Sequence, residues 1–503
     1  MSKNFIFSIL ILLTLINSLE VPEKLKDICP NGCKRYFYCD EEEKKCKFKG
    51  FFPLYPLELI ELFILMISSS LATSCGIGGG TVYSAMILGV EELEPNQAFP
   101  VSNFLILFCG LVTFISFTLD KYKHPENKFI NYDVATIFAP SMLLGAKFGT
   151  ILNKILPSSL LLIFLCFLIC FTTRKTYYNI LKEKAKEQKL SEGKKEALLS
   201  TQSTNEANEK KNDETPLGDT KLSSIITPTD NDKQDKIEFS GLSKMDSEDN
   251  FNVNPKDRVY TDEELKIINE DNEPLHWDRI NYILFLEVIV IVDQLIEGSN
   301  RVPSFIGIKR CSSFYWFTFL IYIGVTGYFI KYSINIVSTH IQKKKQLIPN
   351  FKSDVVDNVE KRIVYVVGIA IIAGIVSSSL GIGGGMITNP AFASLGMMAK
   401  ESSSTSNFLI IVTAIASSFI FILSGQLEIG YSICLGTFCT CAALIGSIYI
   451  LSYINQTKKS SILLIIMEYF LVASLFITIY KLFTLDLKGY NFLESLFVTN
   501  KFC

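Results

Sequence analysis

Ser377-Ser378-Ser379-Leu380-Gly381-Ile382-Gly383-Gly384-Gly385 closes one apolar run of the chain. Ser68-Ser69-Ser70-Leu71, then Ala72-Thr73-Ser74-Cys75, then Gly76-Ile77-Gly78-Gly79-Gly80 closes another. A further block follows each: Ser406-Asn407-Phe408-Leu409-Ile410 after the second, Ser102-Asn103-Phe104-Leu105-Ile106 after the first. The glycine blocks lie 305 residues apart (381 − 76) and the Ser-Asn-Phe blocks 304 (406 − 102). The four residues extra in the first copy amount to about one helical turn. Three ordered blocks at matching spacing identify a duplicated unit.

Around these blocks the apolar residues gather into runs of roughly 18 to 25, the length that crosses about 30 Å of hydrocarbon. They fall at 57–74, 81–90, 98–119, 133–153, 158–178, 280–296, 314–337, 363–380, 386–397, 403–423, 429–453 and 462–482. The fold expected is an all-α polytopic membrane protein with about twelve transmembrane helices, two of them short. Seven crossings then separate the glycine blocks, and an odd number turns the copies in opposite directions. Two inverted repeats, broken at their glycine-rich segments around a midplane site, are the recurrent plan of secondary transporters.

Apolar residues make up 49% of the 503 residues, and charge collects between the runs and in one polar insert, so the net charge of −2 is an average over unlike parts. The three histidines, His124, His276 and His340, stand apart from one another and from any Cys pair, which disfavours a metal site. No nucleophile elbow or Walker motif is present, and nothing points to an enzyme, a cofactor or nucleic acid.

Residues 1–19 read as a signal peptide, with Lys3 before an apolar core. A Cys-rich non-cytoplasmic head follows at 20–56; Cys29, Cys33, Cys39 and Cys46 are close enough in sequence to bind zinc, but the oxidising compartment behind such a signal favours two disulfides, in any of three pairings. Cys109, Cys166, Cys170, Cys434, Cys439 and Cys441 lie in apolar runs and read as packing residues. The first transmembrane repeat is expected at 57–178, linking helices at 280–338, the second repeat at 361–484 and a tail at 485–503. Between them, 179–275 has no apolar period and reads as a disordered cytoplasmic insert. Loops at 121–128, from Arg174 onward, 340–345 and 458–459 are Lys-rich and fall on the cytoplasmic side of this scheme, while Arg301, Lys309 and Arg310 fall on the other.

Glycine blocks at the ends of apolar runs interrupt the helix, and such breaks survive in a membrane only inside protein or beside water. Helices restarting at Thr81 and Met386 would aim free N–H groups into the breaks, and free N–H groups favour an anion. The candidate substrate site is therefore Gly76, Gly78, Gly79, Gly80, Ser102 and Asn103 from the first copy, with Gly381, Gly383, Gly384, Gly385, Thr405, Ser406 and Asn407 from the second. The bland alternative is close helix packing by small residues. Lys147 and Glu287 are candidates for charge coupling, Lys147 by attracting an anion and Glu287 by carrying a proton; Asp293 and Glu468 also fall within spans. Glu58 and Glu61 lie near a boundary and are expected to be partly solvated.

Taken together, the paired Gly-Ile-Gly-Gly-Gly blocks and Ser-Asn helices resemble the sulfite exporter TauE/SafE family. The second copy is the closer, with Pro390 after its glycines and Thr405-Ser406 opening the next helix; the first has Ala85 and Val101-Ser102 instead. The Cys-bearing head and the insert are similar to those of eukaryotic members. The resemblance implies transport of sulfite, sulfonates or related sulfur-containing or organic anions, by an integral protein of the plasma membrane or an endomembrane. The competing class is a membrane receptor or scaffold working through its head and insert.

Overall fold

The computed structural model describes residues 37–40, 45–52, 54–75, 79–91, 93–123, 130–209, 273, 275–299, 301–309, 312–347, 359, 361–450 and 460–484. The signal segment, Cys29, Cys33, Gly76 and Gly78, most of the insert and the tail lie outside the described residues. The chain divides into two units, 1–185 with 266–503, and 186–265.

The first unit opens with a hairpin, so the head departs from the all-α expectation. Strands β1 (Phe37–Asp40) and β2 (Lys45–Phe48) pair antiparallel, with Cys39 opposite Cys46. Helices follow: α1 (Pro56–Cys75), α2 (Gly80–Val90), α3 (Pro95–Lys123), α4 (Tyr132–Ile155), α5 (Ser158–Glu209), α6 (Trp277–Glu297) and α7 (Ser313–Leu347). The second copy supplies α8 (Ile363–Leu380), α9 (Gly385–Ser394), α10 (Ala399–Ser424), α11 (Ile429–Ile445, continued by a π turn over Gly446–Ile450) and α12 (Ser460–Thr484). Among the described residues seven helices are long and apolar enough to cross a membrane, and the shorter α2 and α11 are also apolar. In hydrocarbon a backbone must bond within itself, which favours helix even in runs rich in Ile and Val.

Two helices depart from their expected bounds. α5 continues to Glu209, thirty residues beyond the expected boundary at 179 (209 − 179), and so carries into the second unit. Lys, Glu and Ala dominate that extension, and these are good helix formers that need no core. α7 reaches Leu347 rather than 337, and its last turn carries Lys344 and Lys345.

Two apolar cores form. One gathers α1, α2, α3, α5, α11 and α12 and the other α4, α6, α7, α8, α9 and α10, with Ile382 and Met386 of the second copy reaching into the first. α4 packs along α8 at backbone contact: a Cβ on Gly145, Gly149 or Gly374 would collide with the opposing carbonyl of Ile371, Ile375 or Met142. α11 crosses α1 in the same manner where Gly446 meets the Ser70 carbonyl, 2.5 Å from a Cβ placed there. Small residues let helix axes approach this closely when lipid supplies no hydrophobic drive.

Candidate functional site

α8 ends because Gly381 turns left-handed at φ +59, and Gly383 follows at φ +71, a backbone closed to most side chains. The resulting turn drives into the first copy. A Cβ on Gly381 would strike the Phe99 carbonyl, and one on Gly80 would lie 2.6 Å from the Ile382 carbonyl oxygen. The described parts of the two breaks thus meet backbone to backbone. Serines hold them together: Ser102 donates to the Gly381 carbonyl at 2.6 Å, and Ser84 donates to Ser102 at 2.9 Å.

The second copy repeats this pair. Thr388 and Ser406 share a hydrogen bond at 2.5 Å, and they stand 304 residues from Ser84 and Ser102 (388 − 84 and 406 − 102). The asparagines bridge the copies. Asn407 donates to the Gly110 carbonyl at 3.1 Å, Asn103 donates to Ser417, and the Asn103 carboxamide oxygen is buried without a partner. These polar groups bond across α3 and α10 because hydrocarbon offers no alternative partner.

A small pocket opens beside this contact, lined by Gly79, Tyr83, Cys109, Gly110, Thr113 and Asn407 together with Ala72 and Ile106. Gly79 is the N-cap of α2, and neither it nor Gly384, the N-cap of α9, covers the first N–H groups with a side chain. The positive end of the α2 dipole therefore faces the pocket. Among the described residues, hydroxyl, thiol, carboxamide and backbone groups line it, and no Asp, Glu, Lys or Arg does.

The other expected residues are dispersed. Gly384 turns away, and a Cβ there would lie 2.9 Å from Met142 on α4 and 3.3 Å from the Ala373 carbonyl oxygen. Thr405 accepts from the Asn131 N–H at 2.9 Å and so anchors the start of α4 rather than the breaks. Lys147 is paired with Asp293 and with Glu297, the latter at 2.8 Å, and lies over the Tyr322 ring. It does not bond Glu287, whose two carboxyl oxygens are buried without a partner. Glu58 and Glu61 are buried, contrary to the solvated boundary expected of them, and Glu58 is paired with Lys49 of the segment that follows the hairpin.

Reading single residues missed Ser84 and Thr388, Tyr83, Thr113, Glu91 and Glu297. Laying one copy over the other at 304 residues exposes the Ser84 and Thr388 pair. Glu297 lies one turn beyond Asp293, just past the expected end of its span.

Comparison with known proteins shows the family. The family model described as Sulfite exporter TauE/SafE matches residues 4–175 and 312–475. Sulfite exporter TauE/SafE family protein 1 of Arabidopsis thaliana is 22% identical over 421 residues, covering 80% of this chain and 79% of the relative. Family protein 3 of the same plant is 24% identical over 398 residues, covering 78% and 71%. No solved structure matches. With the family model spanning both duplicated glycine segments, the chain is an integral membrane protein that belongs to the sulfite exporter TauE/SafE family.

Proposed function

We propose that the chain is a secondary transporter of small oxyanions, with sulfite and small sulfonates as the substrate class. The observation that carries the reading is the pocket where the α2 N-terminus, Thr113 and Asn407 converge beside the contact of the two breaks. The names of the relatives supply the sulfur chemistry. Neutral donors suit such a substrate, because an anion that must leave again is better held by dipoles than by a buried cation.

In this reading α1 with α2, and α8 with α9, are re-entrant hairpins entering from opposite sides of the membrane. Their tips meet near its middle. Of the helices between them, α3, α4, α5 and α7 are long and apolar enough to span, and with α6 taken as a fifth crossing the number is odd, which in this reading inverts the copies. The matching Ser84–Ser102 and Thr388–Ser406 bonds support equivalence of the copies. Rocking one copy against the other would expose the pocket to each side in turn. Glu287 is the candidate to carry a coupling proton, since a buried carboxyl without a partner is stable only when neutral. Lys147, already held by two carboxylates, is assigned to joining α4 and α6.

The test is sulfite flux into sealed proteoliposomes containing the full chain. Flux above that of protein-free liposomes, competed by a small sulfonate and not by a cation of similar size, is the expected result. Flux equal to the protein-free rate for both sulfite and the sulfonate overturns the assignment.

A further inference from the structure

Glu61 and Glu91 make a carboxyl pair that the transport reading does not use. Glu61 lies in the second turn of α1, and Glu91 is the C-cap of α2. Both side chains are buried, at 2% and 1% exposure, and their carboxyls lie near enough for the charge of one to act on the other. One oxygen of each, Glu61 Oε1 and Glu91 Oε2, has no partner. The titratable and charged groups facing the pair are Glu58 on α1, Lys49 from the hairpin segment, and Tyr431 and Cys439 on α11. Lys49 is the cation among them, and it is bound to Glu58 at 2.6 Å. Glu58 also accepts the Tyr55 N–H at 2.7 Å.

Two buried carboxylates this close, with Lys49 held by Glu58 and no other cation against them among the described residues, do not both ionise near neutral pH. Glu91 stands moreover at the negative end of α2, which opposes a second negative charge. Burial, reinforced by the charge of Glu58, pushes its carboxyl up to about 7. The duplication provides an internal control. At the offset of 309 before the glycines (377 − 68), Glu61 corresponds to Ala370, and at 304 after them Glu91 corresponds to Leu395. Both counterparts are buried. The second copy closes the same junction with apolar residues, so packing alone does not call for acids there. The end of the hairpin and the segment after it pack on Tyr431, one of the groups facing the pair: Phe48 lies edge-on at 5.1 Å, and Phe51 lies 6.0 Å from the same ring.

We propose that Glu61 and Glu91 are a proton-binding site that latches the end of α2 to the start of α1, holding the first hairpin closed while the pair keeps its proton. Losing that proton sets two carboxylates against each other and frees the end of α2, which is the helix whose other end forms the pocket. Only this last consequence rests on the transport reading.

The experiment needs no substrate. The full chain in lipid nanodiscs is titrated while infrared difference spectra follow the carbonyl band of protonated carboxyls. Backbone hydrogen exchange over residues 80–91 is compared between wild type and the Glu61→Gln/Glu91→Gln double variant, whose amides imitate the protonated pair. A band lost from wild type as pH rises through neutrality, absent from the double variant and retained in Glu58→Gln, is expected. Exchange over 80–91 should be equal in the two proteins well below neutrality and faster in wild type well above it. If the double variant loses that band to the same extent as wild type, or if exchange over 80–91 is equal in the two proteins well above neutrality, the proposal is overturned. These readouts hold even if sulfite flux is absent, so failure of the latch and failure of the transport reading are told apart.

Discussion

At the scale of the residue, Lys147 shows how one intramembrane charge is made tolerable. It is buried, and its ammonium contacts Asp293, Glu297 and the Tyr322 ring, so the charge never faces lipid. Removing one member of a buried ion pair leaves an uncompensated charge, which costs about 3–5 kcal/mol. Lys147→Met should therefore lower the thermal midpoint of the purified protein markedly, because two carboxylates are stranded. Adding Asp293→Asn and Glu297→Gln should recover much of the loss, since a neutral triad has no charge to strand. A triple variant no more stable than Lys147→Met would show that Lys147 matters through its own packing. Sequence alone marked Lys147 as a charge in need of partners but did not name them. Glu287 and Asp293 share one helix with Glu297, and only the packing of α6 against α4 selects among the three.

At the scale of the element, the glycines sort into two kinds. Gly80, Gly381 and Gly383 serve the broken helices, where a left-handed turn or backbone contact excludes a side chain. Gly145, Gly149 and Gly374 serve the α4–α8 contact. Gly324 and Gly327 on α7 have open space where a methyl group would point. Gly374→Ala should accordingly destabilise by about 1–3 kcal/mol or prevent accumulation of folded protein, because a carbonyl and the Ala146 nitrogen, 2.9 Å from the added carbon, lie in its way. Gly324→Ala should be neutral or slightly stabilising, as alanine is the better helix former by about 1 kcal/mol. Melting curves in one detergent decide it, and equal behaviour of the two variants would contradict the packing described. The breaks were legible in the sequence because five residues of glycine and isoleucine occur twice in register. The α4–α8 seam was not, since lone glycines inside apolar runs carry no signal of what they face. The hairpin was also hidden: its strands are four residues each, among charges, without a long alternating pattern.

At the scale of the molecule, the duplication reads directly from the sequence, and its physical meaning lies in the serine and asparagine bridges between copies. Ser102 reaches the second copy's break, and Asn103 and Asn407 each bond to the opposite repeat. What the residues did not disclose is which of the thirteen expected site positions face the pocket, because facing depends on how two distant segments cross. Gly79 and Asn407 do, whereas Gly384 and Thr405 turn to α4. The central claim is that an anion sits against Asn407 as it passes between the copies. The most direct measurement is initial sulfite flux in proteoliposomes by Asn407→Ala and Asn407→Asp at equal reconstituted protein. The account predicts reduced flux in the alanine variant, which loses a donor but adds no charge. It predicts a far deeper loss in the aspartate variant, which sets a carboxylate where the substrate must lie. Near-normal and equal flux in both would contradict it, leaving Asn407 as a bridge to Gly110 alone.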